Sequence, residues 1–144
     1  DESVNDRIRR MRRLADLAEK HERRSRRALG KALTEREEAA FALQSVFLQC
    51  RDVVERPDEF SVRFGRGLIE AGWLAEQDRR SSLEAAIEAA NDRQTEWHAE
   101  RTRVDALDRL LDRLTDAEAQ GELRKVESDL NDLVSSRIAA RGAA

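Results

Sequence analysis

Residues 8–53 carry an apolar repeat of 3.5 residues: Ile8, Met11, Ala15, Ala18, Leu29, Ala32, Ala39, Leu43, Val46, Cys50 and Val53. Only Glu22, Ser25 and Arg36 interrupt it. A repeat of this period lays a narrow stripe along one helix and buries it against another, so the chain is first of all a coiled coil. Composition agrees. With 40% charged residues, 4% aromatic, no Tyr and one Pro in 144 residues, the bulk of a globular core is lacking, whereas a two-helix seam needs less.

The one firm breaker is Pro57, in Glu55-Arg56-Pro57-Asp58. Proline suits the first turn of a helix, and Asp58 and Glu59 favour the same end through the helix dipole. Beyond it a second seam runs through Ile69, Gly72, Glu76, Arg79, Leu83, Ala86, Ala90, Arg93, Trp97, Glu100, Val104, Leu107, Leu111 and Leu114, with Gly65, Gly67 and Gly72 weakening its start. Folded back at Pro57, the seams pair antiparallel with facing residue numbers summing to 115. Trp97 then faces Ala18, Glu22 faces Arg93, and Arg36 faces Arg79. The expected fold is all-α: a long antiparallel two-helix coiled-coil hairpin with a C-terminal helical overhang. It forms one coiled-coil domain over residues 1–144, with the first helix over about 3–55, the turn over about 56–60 and the second helix over about 60–140.

Two surpluses remain after this pairing. From Thr115 onward nothing in the chain faces the second helix, yet an apolar stripe restarts out of phase as Leu123, Val126, Leu130 and Leu133, with Gly121 at the join. Such a stripe is a binding or self-association site. Near the turn, Phe41 and Leu48 point away from the seam, Trp73 and Leu74 lie off it at the same level, and Phe64 is close by. These form a docking patch unless residues 58–68 fold back over them.

Net charge is −3, unevenly spread: Arg7, Arg9, Arg10, Arg12, Arg13, Lys20, Arg23, Arg24, Arg26 and Arg27 stand against Asp16, Glu19 and Glu22. This run fits a solvated, salt-bridged face, an acidic protein partner, or a nucleic-acid or membrane surface, although no aromatic is interleaved to stack on bases. Signs of catalysis are few. Gly65-Arg66-Gly67 lacks the Lys-Ser/Thr of a phosphate loop and a preceding strand. His21 and His98, with Glu19, Glu22 and Glu96, read as solvent-facing side chains rather than metal ligands. No nucleophile has a histidine base and a third orienting group. No catalytic residue, cofactor or metal is therefore expected. Cys50 occupies a seam position as a small apolar side chain, which suits a reducing cytoplasm. With no apolar run of about 18 residues and no leader pattern, neither membrane insertion nor secretion is expected. The opening Asp1, in place of Met, points to a trimmed N-terminus.

The stretch Arg12-Arg13-Leu14-Ala15-Asp16-Leu17-Ala18-Glu19-Lys20 carries a resemblance, together with Leu110-Leu111-Asp112-Arg113-Leu114 and the run from Leu123-Arg124-Lys125-Val126 to Leu130-Asn131-Asp132. In these segments and in length the chain resembles the FliJ family of flagellar type III export proteins, itself similar to the stalks of virulence secretion systems and rotary ATPases. The resemblance implies a non-enzymatic stalk at the inner face of the cell membrane. One end would enter and stimulate a hexameric export ATPase, and the chain would also engage the membrane export gate and export chaperones. The ATPase-facing residues implied are Arg9, Arg12, Arg13, Leu123, Val126, Leu130 and Leu133. The gate-facing ones are Leu43, Val46, Cys50, Phe64, Leu68 and Ala71. The seam itself instead buries Leu43, Val46 and Cys50 and exposes Phe41 and Leu48. The chain is expected to be a monomer on its own and not to bind nucleic acid. The alternatives are a cytoplasmic coiled-coil scaffold that self-associates and a basic binder of nucleic acid or membrane surfaces.

Overall fold

The computed structural model describes residues 3–55 and 59–142, apart from the side chains of Val53, residues 59–62 and Phe64. The Pro57 turn and the side chain of Phe64 lie outside the described residues. Two helices account for the fold: α1, Val4–Glu55 (52 residues), and α2, Glu59–Gly142 (84 residues). Ser3 starts α1 as its cap: its hydroxyl accepts a hydrogen bond from the Asp6 backbone N–H at 3.2 Å, and Asp6 adds negative charge to the first turn. Along both helices Thr34, Ser45, Thr95 and Thr115 donate their hydroxyls to the carbonyl four residues back, which keeps these poor helix formers satisfied inside a helix. Exposed pairs at i,i+4 (Lys31–Glu35 and Arg51–Glu55) line the outer faces, and Arg80 pairs with the half-buried Glu76. Each contributes a few tenths of a kcal/mol, about 0.3–0.5 at most.

The chain divides into two compact units, one of Asp1–Lys20 with Thr102–Ala144 and one of His21–Arg101. In the first, Ile8, Ala15, Ala18 and Val104 are buried, with Met11, Leu107, Leu111 and Leu114 half-buried. All eight hold seam positions of the two repeats. Beyond Glu118 every described residue to Gly142 is exposed.

In the second unit the helices run antiparallel, since Glu22 is bonded to Trp97 while Cys50 lies against Gly72. Ala32 and Ala90 are buried here. The register differs from the expected one. Facing numbers sum to 119 at Glu22–Trp97 and to 122 at Cys50–Gly72, a slip of one helical turn or more. Glu22 is thus met by Trp97 rather than Arg93. The cause is desolvation: Arg93 would have to bring a second charge into the seam, whereas the Trp97 indole places one N–H on the carboxylate and keeps an apolar ring in the interface. In this register Arg36 stands level with residues 83–86 rather than with Arg79, and Arg79 and Arg93 are exposed. Arg80 instead lies over the Phe47 ring, 5.6 Å from its centroid. Near the turn Leu68 is half-buried and Ile69 exposed, which moves the expected seam position back by one residue.

A methyl group built on Gly72 would stand 2.7 Å from Cys50 Sγ, whereas one on Gly30 would have no neighbour within 4 Å. Glycine at 72 therefore sets how closely the helices approach. Gly30→Ala is expected to stabilise the chain by about 0.5–1 kcal/mol, the ordinary helix-propensity gain. Gly72→Ala should lose that gain to the clash, and adding Cys50→Ala should recover it. Urea unfolding followed by far-UV circular dichroism measures all three.

Candidate functional surfaces

Three features stand apart from the regular seam: a buried polar cluster, an apolar groove and an exposed apolar stripe.

The cluster lies in the His21–Arg101 unit. Glu22 is 3% exposed in the middle of the seam. Its Oε1 accepts hydrogen bonds from Trp97 Nε1 at 3.0 Å and from Arg26 Nη2 at 2.6 Å and Nε at 3.2 Å. The Trp97 hydrogen bond, then the Arg26 hydrogen bonds, hold the Glu22 carboxyl below its ordinary 4.5, the Arg26 and Arg101 charges add to this, and burial opposes them. Arg26 supplies its charge from the same helix, one turn on, and stays largely in water. Trp97 also packs against His98, with ring centroids 5.0 Å apart. The site is a register lock: a carboxylate whose three donors exist together only when Trp97 is level with it. Among the described residues no group of three or more His, Cys, Asp or Glu is placed to hold a metal ion.

The groove lies in the same unit, near the turn, with a volume of about 470 Å³. Its walls include Val46, Cys50, Val54, Leu68, Ala71 and Trp73. Of the residues the family resemblance singles out for the gate, Val46, Cys50, Leu68 and Ala71 come together here. Leu43 is half-buried in the seam outside the groove, and the side chain of Phe64 lies outside the described residues. Val46 and Cys50 are only half-buried, so they belong at once to the seam and to the groove wall. Phe41, Leu48, Trp73 and Leu74 are exposed, and α2 continues as a helix through residues 59–68 rather than folding back over them. Trp73 and Val54 were not among the gate-facing residues expected. Both lie off the heptad, and only the pairing of the helices brings them to one groove.

The stripe lies in the other unit. Leu123, Val126, Leu130 and Leu133 are all exposed, and Val134 and Ile138 extend the same face. Those two escape a strict 3.5-residue template, because an uncoiled helix follows a period of 3.6 and drifts from Leu130 to Val134 to Ile138. An uncovered apolar stripe of this kind marks a binding or self-association surface. In the same unit Arg9, Arg12 and Arg13 are exposed, Arg9 with a loose 3.8 Å pair to Asp6. No helix among the described residues is long and apolar enough to cross a membrane.

Comparison of the chain with protein-family models, curated proteins and solved structures finds no match.

The lowered carboxyl of Glu22 has a pH consequence. Its contribution to stability is complete above about 4.5, the ordinary value, and is lost as pH falls through the lower folded value. Glu22→Gln should therefore destabilise the chain at neutral pH, and this difference should shrink as the solution is acidified below about 4.5. Trp97→Phe should cost about 1–3 kcal/mol at neutral pH by removing one donor from a buried carboxylate. Parallel urea titrations of the three proteins across this pH range check both statements.

Proposed function

We propose that this chain is a non-enzymatic stalk and adaptor of a flagellar type III protein export apparatus. Its stripe-bearing unit docks into and stimulates the hexameric export ATPase, while the groove near the turn serves the membrane export gate and export chaperones. The protein then works at the inner face of the cell membrane without crossing it. The observation that carries this reading is the pairing, in one unit, of an uncovered apolar stripe (Leu123, Val126, Leu130, Leu133) with the exposed cations Arg9, Arg12 and Arg13. An apolar face and exposed cations in one unit suit an acidic protein surface with an apolar lining. The segment resemblance described above supports the export ATPase as that surface. The gathering of Val46, Cys50, Leu68 and Ala71 on one groove supports a second docking point.

The test is the ATP hydrolysis rate of the export ATPase with and without the chain. Stimulation that persists at physiological salt and falls severalfold with Val126→Asp is expected. Because Val126 is exposed, that variant should keep the helix content of the parent. No stimulation and no co-sedimentation with the ATPase would refute the stalk role.

A further inference from the structure

The stripe on α2 has a symmetry that the stalk reading does not use. At about 100° per residue, Ala119, Leu123, Val126, Leu130, Leu133, Val134 and Arg137 fall within a band about 100° wide, with Arg141 on the same line and Ile138 at its edge. Leu130 sits at the centre. Leu123 and Arg137 lie seven positions to either side of it, and Val126 and Val134 lie four.

We propose that a second copy of this chain covers the stripe, the two α2 segments pairing antiparallel about a two-fold axis at Leu130. In that arrangement Leu130 meets its own counterpart, Val126 meets Val134, and Leu123 meets Arg137, each contact occurring twice as a two-fold interface requires. Charge selects the direction. Arg137 and Arg141 stand on the stripe itself, so a parallel pair would set each against its own copy in the interface. The antiparallel pair sets Arg137 beside Glu122, with the long methylene stem of Arg137 over Leu123. The area is sufficient. Leu123, Val126, Leu130, Leu133, Val134 and Ile138 are each 55–66% exposed, which offers roughly 600 Å² per copy, so a pair would bury about 1,200 Å², the lower bound of a stable interface. The pair is therefore a weak, concentration-dependent dimer, and it hides the surface assigned above to the ATPase. Dimer and ATPase complex exclude one another, so the free chain keeps its stripe covered until the ATPase competes for it.

The experiment needs only the purified chain and so stands or falls apart from the stalk reading. Sedimentation equilibrium over a concentration series should show a reversible monomer–dimer equilibrium. Leu130→Asp should abolish it with unchanged helix content. Arg137→Glu should weaken it by about tenfold, and adding Glu122→Arg to the same chain should restore it. On a Cys50→Ala background, Leu130→Cys should form a disulfide-linked dimer under mild oxidation and Leu123→Cys should not. Mixed chains carrying Leu123→Cys and Arg137→Cys should cross-link. A chain that stays monomeric throughout, or one that dimerises undisturbed by Leu130→Asp, would overturn the proposal. So would ready self-linkage through Leu123→Cys, the signature of a parallel pair.

Discussion

The thinness of the seam is the constraint on which the rest depends. Among the described residues, four of the six buried apolar side chains are alanines: Ala15, Ala18, Ala32 and Ala90. Small side chains let two helices approach closely and gain dispersion contacts along their length, but they remove little apolar surface from water. Such a seam penalises any polar group that it buries. Glu22 survives within it because three donors meet one of its oxygens. The same closeness makes Gly72 a matter of geometry, since Cys50 sulfur occupies the space that any larger residue would need.

The seam of α1 could be read almost residue by residue, because a 3.5-residue repeat specifies a buried face without reference to its partner. The pairing of the helices could not be read in the same way. A lone Glu22 in a seam admits an arginine or an indole as its answer, and only the cost of burying a second charge decides between Arg93 and Trp97. Near the turn, Gly65, Gly67 and Gly72 carry no side chain to mark a face, which is why Leu68 and Ile69 exchange roles. The stripe from Leu123 to Leu133 was legible as an apolar run without a partner. Its continuation to Val134 and Ile138 was hidden by counting in heptads where nothing forces the helix to coil. The groove was the least visible feature: Val54 and Trp73 lie off the heptad and join Ala71 and Ala75 in one lining only where the two helices pair.

The two surfaces differ in kind. The groove is concave, formed between packed helices, and ready to receive a side chain or a short segment. The stripe is convex and borne on one helix, so it must itself be inserted into something. A stalk that presents its stripe to a ring and its groove to a second partner uses both shapes. Covering the stripe with another copy answers the same exposed area by different means.

The alanine-rich seam also has a thermal consequence. The heat capacity change of unfolding follows the apolar area newly exposed to water and reaches about 12–15 cal/mol/K per residue in ordinary globular domains. A chain that hides so little apolar surface should fall below that range, so its stability should vary weakly with temperature, without the pronounced dome of a compact globular domain. Cold should barely weaken it, and on warming its helices should loosen over a wide interval rather than at a sharp melting point.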